Sequence, residues 1–164
     1  MGNVKEYSAL IEPYISGKAT TCSYCDYIEK LVLLAGKYTY ITLAIGQYIE
    51  GYLQICAKNH RTSAAGLLPD ELAELVIMKK VVRKTYKDVY NNCGIAFEHG
   101  QAGSCLVQSY KNITSLCHHF HIHYVPVNID IRNKIKEYAP VEILVLNMEE
   151  LKDIRENVLN NTPY

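Results

Sequence analysis

The stretch His118-His119-Phe120-His121-Ile122-His123-Tyr124-Val125 holds four of the chain's six histidines. In a β-strand successive side chains point to opposite faces, so His119, His121 and His123 share one face while Phe120, Ile122 and Tyr124 share the other. The aromatic and β-branched residues favour a strand, and Pro126 removes a ladder donor directly after it, which suits a strand end or edge. A helix would scatter the three rings around its circumference. The alternation therefore predicts a strand with one face for the core and one for chemistry. A solvated polar face is the ordinary explanation of two alternating histidines, but three opposite an apolar face favour a built site.

The rest of the chain supplies partners for such a strand. Residues Tyr38 to Ile45 and Gly51 to Ala57 are rich in aromatic and β-branched residues, and the intervening Gly46-Gln47-Tyr48-Ile49-Glu50 predicts a hairpin. Pro69, Asp70 and Glu71 open a helix, because proline fits its first turn and the acids complement the positive end of its dipole. Leu72, Leu75, Val76, Val82, Tyr86, Val89 and Tyr90 then recur at helical spacing as a core stripe, with Gly94 as the stop. Further strands are expected at Gly94 to Phe97, Leu116 to Val125 and Glu142 to Leu146, separated by a long loop from Gly100 to Thr114. A closing helix is expected at Met148 to Leu159. Without regular βαβ alternation, this order predicts an α+β fold: an antiparallel β-sheet of about five strands, one long helix and a C-terminal helix.

At 164 residues the chain has the length of one domain, expected to span residues 1–164. Lysine plus arginine and aspartate plus glutamate both number 17, so no charge excess recruits polymeric nucleic acid or an acidic membrane. The pairs Lys79-Lys80 and Arg83-Lys84 fit a solvated helix face. No run approaches the ~18 apolar residues of a membrane span, and residues Met1 to Gly17 lack the apolar core of an export signal, so a cytoplasmic location is expected.

The six cysteines then read as metal ligands and buried thiols rather than disulfides. Cys22-Ser23-Tyr24-Cys25 is a C-x-x-C pair, open between zinc, a redox pair and two ordinary thiols. The redox reading wants a βαβ setting. The zinc reading wants two more ligands, for which His60 and His119 are available. Two thiolates with two neutral imidazoles suit tetrahedral Zn²⁺ and cancel its charge. Cys56, Cys93, Cys105 and Cys117 are expected to be small buried hydrophobes.

His119-Phe120-His121-Ile122-His123-Tyr124-Val125 fits the His-φ-His-φ-His-φ-φ signature, φ being apolar, and other landmarks fall in a fixed order around it. These are C-x-x-C, Ile55-Cys56-Ala57-Lys58-Asn59-His60, Leu68-Pro69-Asp70-Glu71, Phe97-Glu98-His99-Gly100 and Val125-Pro126. In these pieces the chain resembles the histidine triad superfamily, in particular bacterial members with a Phe-Glu-His-Gly segment. Its Cys-Cys-His-His set resembles the zinc site of galactose-1-phosphate uridylyltransferases and zinc-bearing triad hydrolases.

The resemblance implies a homodimeric nucleotide hydrolase or nucleotidyltransferase. His121 would attack an α-phosphorus and carry the nucleotidyl group, and His123 would contact the phosphate. Zinc would be structural, held by Cys22, Cys25, His60 and His119. Substrate contacts would come from Glu98, His99, Gly100 and Gln108. The substrate would be a small nucleotide: a dinucleoside polyphosphate, a nucleotide sugar or a phosphoramidate. His99 is equally open to an ordinary loop or core role.

The chain also departs from the family pattern. Leu116 stands where many members place serine or threonine, Glu98 where an asparagine binds phosphate, and Ile45-Gly46-Gln47 where a ribose-binding pair is common. Gln108, Ser109 and Lys111 in the long loop are candidate substitutes. These departures keep open a non-catalytic, nucleotide-binding or regulatory alternative.

Overall fold

The computed structural model describes residue 9 and residues 22–44, 47–98 and 119–129. Five strands and one long helix lie in these segments: β1 (Val32–Ala35), β2 (Thr39–Leu43), β3 (Leu53–Ala57), α1 (Pro69–Tyr90), β4 (Ile95–Phe97) and β5 (His121–Val125). They form one antiparallel sheet in the order β1-β2-β3-β5-β4. The histidine strand thus lies between β3 and β4, and the Gly94-to-Phe97 strand caps that edge.

The expected α+β class is what the chain adopts, with differences in its parts. A strand at Val32–Ala35, which pairs with β2 through an irregular register between Val32 and Leu34, supplies the edge beyond the hairpin. The expected strand at Glu142 to Leu146, the closing helix and the Gly100-to-Thr114 loop lie outside the described residues. The triad strand is five residues long; His119 and Phe120 precede it, although the Phe120 carbonyl still accepts from Ala57 N–H.

Alternation decides which side of the sheet is core. Ile41, Leu53, Ile55, Ala57, Phe120, Ile122 and Tyr124 point to the same side and meet Leu75, Met78, Val82 and Tyr86 of α1. The face of β5 opposite its histidines is buried, with Phe120 and Tyr124 each 1% exposed. The expected helix stripe is corrected at two positions: Val76 and Val89 are exposed, and Glu71 and Met78 take buried places. A 3.6-residue period carries Val76 off the line through residues 71, 75, 78, 82 and 86, whereas Val89 keeps to that line but lies in the last turn of α1. Cys93 is also exposed, whereas Cys56 is buried as expected.

Both ends of α1 have local causes. Leu68 N–H donates to Glu71 Oε2 at 2.8 Å, satisfying a donor at the helix start beside Pro69. Asn91, with φ 54°, ends the helix in the left-handed region, three residues before the expected Gly94. Gly94 is needed for another reason, since its φ of 66° and the closeness of the Tyr86 ring leave no room for a Cβ. Glu74 ties the helix to the β1–β2 turn, its carboxylate accepting from the Lys37, Tyr38 and Thr39 amides and the Thr39 hydroxyl. Among the described residues no helix is long and apolar enough to cross a membrane.

Candidate metal centre and histidine site

The other side of the sheet carries the chemistry. Register pairs Gln54 with His123 and Cys56 with His121, and β2 places Thr42 beside Gln54 and Tyr40 beside Cys56. Tyr40 and Cys56 are completely buried beneath the C-x-x-C loop, whose Tyr24 carbonyl accepts from the Tyr40 hydroxyl at 2.8 Å. Burial pushes the Tyr40 phenol and the Cys56 thiol well up, so both stay protonated and inert.

At the foot of β5, Cys22, Cys25, His60 and His119 converge, their ligand atoms all within 4.8 Å of one another. Cys25 N–H and Asp26 N–H both donate to the Cys22 carbonyl, making the tight turn that brings the two thiols to one side. His60 arrives just after β3 and His119 just before β5, so the pairing of those strands sets the two imidazoles together. Glu71 braces the His60 loop, accepting from Asn59 Nδ2 at 2.8 Å and from Arg61 Nε at 3.0 Å.

The distances allow a metal to be tested against the cluster. Bonds of about 2.3 Å to sulfur and 2.0–2.1 Å to nitrogen give a tetrahedron with edges of about 3.3 Å between nitrogens and about 3.6 Å between sulfur and nitrogen. The Nδ1 atoms of His60 and His119 are 3.3 Å apart, and sulfur-to-nitrogen separations are 3.3, 3.5 and 3.6 Å. His119 Nε2–H donates to the Ala57 carbonyl at 2.8 Å, which fixes the lone pair on Nδ1, the atom facing the cluster. Burial raises the Cys22 thiol, but the His119 hydrogen bond and the Tyr24 and Cys25 amides outweigh it and bring it down to about 6. A thiolate-ready Cys22, the Cys25 thiol and two aligned Nδ1 atoms fit a four-coordinate zinc ion. The redox reading loses its setting, since the pair sits beside an antiparallel sheet rather than in a βαβ unit. Cys25 and His60 are solvent-exposed, so this group lies at the rim of the molecule rather than in its core.

The two remaining triad histidines are held differently from each other. His121 Nδ1–H donates to the His119 carbonyl at 2.8 Å, leaving the lone pair on Nε2. His123 Nδ1 instead meets the Tyr52 hydroxyl. Each ring is stacked by an aromatic neighbour: Tyr24 covers His121 with centroids 4.6 Å apart, and Phe97 covers His123 at 4.8 Å. The two imidazoles meet edge to face at 4.6 Å. A shallow recess lined by Ser23, Tyr24, Tyr27, Leu43 and Gln54 lies beside them.

Of the expected substrate contacts, Glu98 lies just past β4, where its Oε1 accepts from Ala64 N–H at 2.9 Å. His99, Gly100 and Gln108 lie outside the described residues, as do Leu116, Ser109, Lys111, Cys105 and Cys117. Tyr24 and Tyr52 are not marked as site residues by any sequence signal of their own, and Phe97 is marked only as the first residue of the Phe-Glu-His-Gly landmark, not as a neighbour of His123. Tyr24 is the inner residue of C-x-x-C, and Tyr52 shares the parity of Gln54 and Cys56, but only the strand register aims them at the histidines.

No family model matches the sequence, and no curated protein matches it. Among solved structures, a hypothetical histidine triad nucleotide-binding protein from Sulfolobus tokodaii is 20% identical with a TM-score of 0.48, over 85% of this chain and 93% of its own. A zinc-bound histidine triad family protein from Mycobacterium smegmatis is 12% identical, with a TM-score of 0.49 over 85% and 94%. A diadenosine triphosphate hydrolase from Plasmodium falciparum is 15% identical, with a TM-score of 0.47 over 94% and 97%. Among the described residues the alternating histidines stand on a strand of a five-stranded antiparallel sheet backed by one long helix, an α+β architecture.

Proposed function

We propose that the chain is a nucleotide hydrolase or nucleotidyltransferase that works through a covalent nucleotidyl-histidine on His121. The observation that carries this reading is the Nδ1–H bond from His121 to the His119 carbonyl, which makes Nε2 the basic, nucleophilic nitrogen. That lone pair attacks the α-phosphorus of a nucleoside phosphate. The P–N bond forms as the P–O bond to the leaving group breaks, or the P–N bond in a phosphoramidate, and the leaving oxygen or nitrogen takes the electron pair and a proton. Water or an acceptor hydroxyl then attacks phosphorus, the P–N electrons return to Nε2, and the nucleoside monophosphate leaves as acid or ester.

His123 contributes a hydrogen bond to the phosphate oxygens as charge builds on them. Zinc, held by Cys22, Cys25, His60 and His119, is proposed as scaffold: it would neutralise the two thiolates and fix the foot of β5. Glu98, and His99, Gly100 and Gln108 in the following segment, are proposed to contact substrate. The expected homodimer and cytoplasmic location belong to the same proposal; a monomer in sedimentation at micromolar concentration would remove the former.

The deciding experiment is intact-protein mass spectrometry after mixing with dinucleoside polyphosphates, nucleoside diphosphate sugars and adenosine phosphoramidate. A mass gain of one nucleotidyl group, absent from His121→Ala, is expected. Ligand-dependent thermal stabilisation with neither adduct nor released monophosphate would replace the enzyme with a nucleotide-binding regulator.

A further inference from the structure

Two adjacent imidazoles that play opposite parts in one reaction need opposite tautomers. His121 must offer a lone pair at Nε2, whereas a group that steadies phosphate must offer N–H there. The chain fixes the first with a backbone carbonyl. Nothing in the histidine motif fixes the second.

We propose that Tyr52 is the positioning residue that holds His123 in its Nε2–H tautomer, by donating its phenolic hydrogen to His123 Nδ1. The inference rests on the function proposed above only for its catalytic consequence; the tautomer itself follows from the contact. Tyr52 immediately precedes β3, and because Gln54 pairs with His123, residue 52 lies just beyond that pair on the histidine side of the sheet. Its hydroxyl meets Nδ1 directly, and the two rings stand 5.7 Å apart with planes inclined by 31°, so the contact is made at the ring edge.

The direction of the bond follows from acid–base chemistry. Between a phenol and a neutral imidazole, the phenol is the stronger acid and the imidazole nitrogen the stronger base, so O–H donates to N. Tyr52 keeps its hydrogen across the physiological range, because burial pushes its phenol up to about 12. With Nδ1 occupied as an acceptor, the ring proton of His123 must lie on Nε2. Phe97, stacked on the same ring at 15°, restricts its rotation, so the N–H keeps its direction as well as its position. Tyr52 is itself only 5% exposed, and Gln47 Nε2 donates to its carbonyl at 2.7 Å, so the donor is supported from behind.

The test is two-bond ¹H–¹⁵N correlation of ¹⁵N-histidine-labelled protein loaded with zinc, with His121→Ala and His123→Ala used for assignment. The expected spectrum shows Nδ1–H for His121 and Nε2–H for His123. Tyr52→Phe keeps the ring and removes only the hydroxyl; it should introduce an Nδ1–H fraction at His123 while His121 keeps its pattern. With whichever nucleotide the enzyme releases fastest, the same variant should lower kcat roughly 10- to 100-fold and leave KM within about threefold. An Nδ1–H signal for His123 in the unaltered protein overturns the assignment, as does an unchanged His123 pattern in Tyr52→Phe. If no nucleotide turns over at all, the catalytic reading falls while the tautomer pattern still decides the role of Tyr52.

Discussion

The ring of Tyr24 lies nearly parallel to that of His121, with planes inclined by 17°, and the same ring reaches His119 at 5.4 Å. The residue enclosed by the two cysteine ligands therefore touches both a candidate metal ligand and the candidate nucleophile. Tyr24→Ala leaves all four ligands in place, so zinc content should hold at about one per protomer while turnover falls roughly 10-fold through a less constrained His121. Cys22→Ser with Cys25→Ser should remove the metal and lower the melting temperature as well. Elemental analysis and a thermal melt on the same preparations separate the two effects, and zinc-free wild-type protein prepared without chelator would end the metal assignment.

Substitutions along the histidine strand should separate three ways. His119→Ala should lose zinc and stability, since its ring ties the cluster to the Ala57 carbonyl. His121→Ala should keep metal and fold but lose at least ~10³-fold in turnover and all covalent adduct. His123→Ala should fall between, slower by about 10- to 10³-fold with some adduct retained. Unfolding of all three variants together would reduce the histidines to a structural cluster.

Acid should unlock the His60 loop before it reaches the core. Glu71 is 1% exposed; burial raises its carboxyl, but Arg61, Asn59 and the Leu68 amide more than reverse this and bring it down to about 2. A depressed carboxylate contributes stability above its unfolded value, near 4.5, and loses it as pH falls from there towards 2. The contribution is on the order of 3 kcal/mol. Glu71→Ala should therefore cost roughly 2–3 kcal/mol at pH 7 and flatten the acid limb of stability, measured by urea denaturation from pH 7 to pH 3. A variant with the same acid limb as wild type would place that limb on other carboxylates.

Glu98→Gln keeps an oxygen for the Ala64 amide, so its stability should lie within about 0.5 kcal/mol of wild type. What it removes is charge. If the carboxylate faces the phosphate, amine-bearing nucleotides should be preferred by wild type and lose that preference in the variant. An unchanged ranking of substrates would confine Glu98 to bracing the turn that precedes α1.

How much of this is legible in the sequence depends on whether a signal is local. The alternation at residues 119–125 specifies both faces of β5 by itself, and the four ligand types are visible as C-x-x-C and two well-placed histidines. Val32–Ala35 gives little sign of being a strand, because a four-residue run followed by Gly36 and Lys37 takes its conformation from pairing with β2. Val76 misleads because an apolar residue near the right period can still sit outside a narrow buried stripe, and Val89 because a residue on that stripe is exposed in the last turn of the helix. Tyr52 and Phe97 meet His123 only through register, and register belongs to pairs of strands rather than to either one.

The cluster joins chain positions that are far apart: Cys25 and His60 are separated by 35 residues, and Cys22 and His119 by 97. A bound ion there would act as a staple on the unfolded chain; by the arithmetic used for disulfides, closing a loop of about 100 residues is worth about 4.7 kcal/mol. It also orders events during synthesis. Until residue 119 has left the ribosome only three ligands exist, and β3 lacks the neighbour that completes its pairing. Under the proposed zinc occupancy, metal capture is a late checkpoint on maturation, so zinc scarcity would lower the amount of finished protein and leave the rate of each finished molecule unchanged.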